Sequence, residues 1–143
     1  MNRTDFQQLA ELRLKEAKAL LAADFPDGAY YLAWYAIESG LKACIAKRTQ
    51  QYDFPDKKRV NDSHTHDLGK LLMLAGLSED LQFEFAADAA MEWRWGIVRD
   101  WSEESRYEMI QGSDEERFRF AYQMIHAIEC QNGGIMQWIK QRW

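Results

Sequence analysis

An all-α, up-and-down bundle of five or six helices is the fold the sequence predicts, and three observations carry it. Apolar residues recur at helical spacing through nearly the whole chain, polar caps open the segments, and glycines close them. No strand-like run lies between hairpin turns, and no internal repeat is visible. A length of 143 residues argues for one domain spanning 1–143, and 47% hydrophobic residues with six Trp supply a substantial core.

The first helix is expected over about residues 5–23. Thr4 and Gln7 have capping-box spacing, and Phe6, Ala10, Leu14, Ala17 and Leu21 fall on one arc at about 100° per residue. Glu11 and Lys15 occupy another face at the favourable i,i+4 spacing. Phe25-Pro26-Asp27-Gly28 breaks this helix, and a second runs to about Arg48. Along it Ala29, Ala33, Ala36 and Gly40 form a seam of small residues that admits a close helical neighbour. Tyr30, Ile37, Leu41, Cys44 and Ile45 supply bulk beside the seam, while Tyr31, Trp34 and Tyr35 make the rest aromatic, so this helix should be central.

Residues 49–66 read as a long polar loop, with 49–64 its variable part and Lys57-Lys58-Arg59 the only basic run. A short helix carrying Leu68, Leu71, Leu72 and Ala75 stops at Gly76, and Ser78 opens a fourth through Leu81, Phe85 and Met91. Trp93, Trp95 and Trp101 follow within nine residues and lead into an irregular stretch through Tyr107. The last long helix opens at Ser113, with Glu116 three residues on, and presents Phe118, Ala121, Tyr122, Ile125 and Ile128 as its apolar stripe to about Gln131. Asn132-Gly133-Gly134 stops it, and a final short helix carries Trp138, Ile139 and Trp143.

Eighteen basic against 23 acidic residues leave a net charge of −5, the wrong sign for bulk attraction to nucleic acid. RNA contact would need a local patch. No apolar run is long enough to span a bilayer, and the opening Met1-Asn2-Arg3-Thr4-Asp5 is polar, so a soluble cytoplasmic protein without membrane contact is expected. Cys44 and Cys130 are too few for a disulfide framework, lack metal-ligand spacing, and read as small buried hydrophobes.

Three stretches taken in order suggest a family. The helix from Ala29 to Cys44, with Tyr35-Ala36-Ile37-Glu38 followed by Leu41-Lys42-Ala43, resembles the central helix of HEPN (higher eukaryote and prokaryote nucleotide-binding) domains. Thr65-His66-Asp67-Leu68-Gly69-Lys70-Leu71 resembles their Thr-His-Asp-Leu segment, and Ser105-Arg106-Tyr107 resembles the Arg-Tyr that precedes their last long helix. The resemblance implies a helical bundle that pairs into a homodimer through its last helices. It also implies one of several roles: a metal-independent RNase with an Arg-x(4–6)-His motif, a partner of a minimal nucleotidyltransferase in a toxin–antitoxin or stress-response pair, or a non-catalytic module for a nucleotide, RNA or a protein. Fold alone does not choose among these. The leading expectation is the binding module, with the RNase as alternative, and neither needs a cofactor.

Arg119-x6-His126 fits the RNase spacing on the last long helix, where the resemblance would put it. Arg119 would be the cation for the charged phosphorane and His126 the acid/base or phosphate ligand. Seven residues set them about 20° apart around the axis and roughly 10 Å along it. The same pattern recurs at Arg59-x4-His64 and Arg59-x6-His66, and the plain alternative is a solvated salt-bridge face fed by Glu115 and Glu116. Candidate nucleotide or RNA contacts are Arg99, Arg106 and Tyr107 in the Trp-rich stretch, with Lys57 and Lys58 in the loop. Guanidinium groups among aromatic faces suit base stacking and phosphate pairing, whereas Trp in the core and Arg on its rim is the structural alternative. His64, His66, Asp62 and Asp67 make a poor zinc signature, and no metal is expected; His66-Asp67 more simply starts a helix, with Thr65 as cap.

Overall fold

The helix-forming patterns are realised in a computed structural model that describes residues 1–51, 61–100, 112–131 and 133–143, without the side chains of 50 and 51. The described residues form seven helices and no strand: α1 (Arg3–Ala22), α2 (Pro26–Gln51), α3 (Leu68–Leu74), α4 (Ser78–Ala87), α5 (Ala89–Arg99), α6 (Asp114–Ile128) and α7 (Ile135–Lys140). The fold is the all-α bundle the periodicity predicts, with one helix more than expected.

The extra helix comes from Asp88. Its backbone is extended at φ −145°, and its side chain accepts a hydrogen bond from the Ala90 N–H at 3.0 Å, which ends α4 and caps α5 in one residue. Ser78 is therefore the first residue of α4 rather than its cap; Leu77 holds that position without a side-chain bond. At the chain start, Asn2 and Asp5 form the reciprocal capping box in place of Thr4 and Gln7, and α1 begins two residues earlier than predicted. Pro26 is the first residue of α2, where its missing N–H costs nothing.

α2 is the hub. It lies along α1 and also packs on α6, α3 and α7. Ala29, Ala33, Ala36, Ile37 and Leu41 are fully buried. The small-residue seam continues at Gly40, where an added Cβ would stand 3.0 Å from Ile139 Cγ2 of α7. Gly134, at φ +123°, starts α7 where a Cβ would lie 2.5 Å from the Ile128 carbonyl oxygen, so only glycine lets the chain turn there. Among the described residues no helix is long and apolar enough to cross a membrane.

Two expectations about side chains change. On α6 the core takes Ala121, Met124, Ile125, Ala127 and Ile128, while Phe118 and Tyr122, predicted for the stripe, are exposed. In the Trp-rich stretch Trp95 is buried on α5 but Trp93 faces solvent, and Trp101 lies outside the described residues. Cys44 is buried, as expected, whereas Cys130 is only partly so and donates to the Gly133 carbonyl at 3.1 Å.

Candidate functional site

α6 is held by its ends and its inner face. Ser113 Oγ accepts from the Glu116 N–H at 3.2 Å, and the Arg117 guanidinium straddles Asp27, with Nε to Oδ1 at 3.1 Å and Nη2 to Oδ2 at 2.8 Å. That hydrogen-bonded pair joins α6 to α2 and pushes the Arg117 pKa above its ordinary value. With Arg117 engaged inward, helix geometry leaves Phe118, Tyr122, His126 and Arg119 on an outer arc of about 100°. All four are exposed, Phe118 to 40% and Tyr122 to 54%. The Tyr122 and His126 rings stack at 5.8 Å with an 18° interplanar angle, and the Arg119 guanidinium lies 5.9 Å from the Phe120 ring.

The two residues of the Arg-x6-His pattern are thus brought to one solvent-facing surface. The anticipated salt-bridge face is not there: among the described residues Arg119 pairs with no carboxylate, and the ion pairs of this helix belong to Arg117 with Asp27 and Asp114. Arg99 is exposed as the last residue of α5, a position the helix dipole favours for a cation. Lys57, Lys58, Arg106 and Tyr107 lie outside the described residues.

A second polar constellation sits inside the bundle. Glu38, in the middle of α2, is only 2% exposed, and its Oε1 meets His66 Nδ1 and, at 3.4 Å, Lys42 Nζ one turn on. An ionised carboxylate only accepts, so Nδ1 of His66 carries the shared proton in that state. The imidazole lies beside both Trp34 and Tyr35, with ring centroids 6.5 and 6.4 Å away. Thr65 does not cap α3: its hydroxyl accepts from the Asp67 N–H, and Asp67 in turn caps through the Lys70 N–H. His66 is left to reach α2, and the start of α3 is tied to the central helix by a hydrogen bond to a buried carboxylate.

The sequence pattern includes Glu38 in the stretch that carries the resemblance but assigns it no role, although a signal existed. An acidic residue between Ile37 and Leu41, on a helix apolar or aromatic on most sides, must find a cationic or donor partner when buried. Among the described residues no three His, Cys, Asp or Glu side chains converge as a metal site; His66 turns to Glu38, and His64 lines a separate pocket with Arg3 and Lys42. In comparisons with known proteins, no family model, no curated protein and no solved structure matches the chain.

Proposed function

We propose that this chain is a HEPN-type helical module that works by binding, with the exposed face of α6 as its docking surface for a protein partner. The observation that carries the reading is the continuous exposure of Phe118, Tyr122, His126 and Arg119 on one face of a helix whose other face is core. Large aromatic side chains grouped on a surface mark an interaction site more often than a random surface does. A protein fits better than nucleic acid because Asp114, Glu115 and Glu116 crowd the first turn of the same helix and repel phosphate. Supporting the family reading, the His66–Glu38 contact joins two of the three stretches that carry the resemblance.

A second copy of the chain is the simplest partner, and a minimal nucleotidyltransferase is the other class the resemblance implies. Sedimentation equilibrium tests the first. The wild type is expected to form a dimer that Tyr122→Glu dissociates into folded monomers with an unchanged far-UV circular dichroism spectrum. A monomeric wild type would remove self-association and leave titration with a nucleotidyltransferase as the deciding experiment.

One observation favours a second reading, a metal-independent endoribonuclease. Arg119 and His126 share the exposed face, and Arg119 has no carboxylate to neutralise it among the described residues. In that mechanism the RNA 2′-hydroxyl attacks the adjacent 3′-phosphorus and the P–O5′ bond breaks, leaving a 2′,3′-cyclic phosphate and a 5′-hydroxyl. His126 takes the proton from the attacking oxygen and returns it to the leaving one, and Arg119 stabilises the phosphorane. Cleavage of mixed RNA in EDTA, lost in His126→Ala, would select it; intact RNA with both proteins would leave the binding module.

A further inference from the structure

A cationic pocket lies far along α2 from its start, bounded by the turn after α3 and by the end of the chain described after α7. It encloses about 300 Å³ and is lined by Lys47, Arg48 and Arg142 against Cys44, Gly76 and Leu77. Among the described residues no carboxylate lines it, in a chain whose net charge is −5.

Its cations are held rather than loose. Arg48 Nη1 donates to the Leu74 carbonyl at 3.3 Å, and the guanidinium closes on Gly76, where a Cβ would stand 2.9 Å from Arg48 Cζ. Gly76 has φ +73°, so this turn both favours glycine and uses its bare surface to seat an arginine. Arg142 stacks over the Trp138 ring at 4.1 Å and donates to the Trp138 carbonyl at 2.9 Å. Lys47 Nζ reaches the Arg142 carbonyl at 3.4 Å. Among the described residues only Arg142 has an acidic neighbour, Asp80 at 3.7 Å. Lys47 and Arg48 spend their bonds on neutral carbonyls, and no carboxylate among the described residues compensates their charge.

We propose that this pocket binds a phosphate or diphosphate group carried by a small molecule. Two uncompensated cations match a doubly charged group; a single carboxylate would leave one of them unbalanced. A fixed guanidinium offers paired N–H donors suited to phosphate oxygens, and a lysine supplies the adjacent point charge. The volume exceeds what one phosphate fills, and Leu77 gives an apolar wall for part of whatever carries the group. The site stands apart from the α6 docking reading, since none of its lining residues belongs to that helix.

Titration calorimetry on the full chain at about 0.15 M salt, where surface attraction is largely screened, uses inorganic phosphate, pyrophosphate and AMP as separate probes. Saturable binding of pyrophosphate is expected, weakened at least tenfold in Lys47→Gln/Arg48→Gln and unchanged in Tyr122→Glu. AMP binding tighter than inorganic phosphate would identify a nucleotide as the source; equal binding would mean that only the phosphate group is read. No saturable binding by any probe, or equal binding by the double variant, would overturn the site. Should that variant fail to fold, amide spectra of the wild type decide. Saturable shifts at Gly76 and Leu77 support the proposal, and shifts confined to other residues refute it.

Discussion

His66 and His126 sit in the same bundle and have opposite circumstances. His66 packs beside Trp34 and Tyr35 and is bonded to a carboxylate that water barely reaches. His126 lies on open surface with one face on Tyr122. The first histidine is committed to holding two segments together, and the second is committed to nothing beyond its own helix. Functional inference from a titratable residue therefore depends on which groups its backbone position lets it meet, more than on its spacing from an arginine.

The sharpest way to break this contrast is His66→Ala. It strips Glu38 of its closest partner and leaves Lys42, at 3.4 Å, in contact with it. Removing one member of a buried pair is costly, and part of the penalty is relieved here by the exposed edge of His66, so urea denaturation should show a loss of about 2–3 kcal/mol. A stability equal to wild type would mean that the buried carboxylate needs no imidazole.

Gly40→Leu perturbs the same central helix without touching charge. The new side chain must displace Ile139, and overpacking should cost about 2 kcal/mol in the same assay. An unchanged denaturation midpoint would refute the close seam between α2 and α7.

Alkaline pH probes the buried end of α2. Burial pushes the Cys44 thiol up to about 11, against the opposing pull of Lys47, Arg142 and Arg3. Between pH 9 and 11 the unfolded chain releases this proton and the folded chain keeps it, so stability falls as pH rises through that window, by up to about 2 kcal/mol. Tyr30, raised by burial and then by Asp100, acts with the same sign. Denaturation midpoints measured across the window should decline less steeply in Cys44→Ala, and parallel curves would assign the decline to other groups.

The smallest effects belong to the outer face of α6. Arg119→Ala and His126→Ala should each change stability by less than about 0.5 kcal/mol, because neither side chain is packed into the core. A melting shift comparable to that of His66→Ala would erase the distinction between the two histidines.

Legibility followed the range of the interactions. Helix positions were readable because hydrophobic period, proline and glycine act within a few residues; α3 and the burial of Ala33, Ile37 and Leu41 follow from neighbours in sequence. By contrast, α6 ends at Ile128, three residues before the predicted Gln131, where Glu129 turns extended. Caps were harder, since several residues compete within one turn. Asn2 wins over Thr4 at α1, and Asp88 divides what periodicity reads as one helix. At the candidate site, the sequence placed Arg119 and His126 on one face. It could not show that Arg117 takes the ion pair with Asp27, 90 positions away.

What the sequence by itself determined is the all-α class and the inner faces of α1 and α2, because a 3.6-residue repeat specifies which side of a helix avoids water. Only the tertiary structure decided which polar residues are spent on the fold. The partners of Glu38, Arg117 and Arg48 come from segments remote along the chain, and no local rule pairs charges across such separations. Packing also decided that Phe118 and Tyr122 stay outside, since the room against α6 is filled by Ala121, Met124 and Ile128. A hydrophobic pattern states what would gain from burial, and the volume between neighbouring helices decides how much of it is buried.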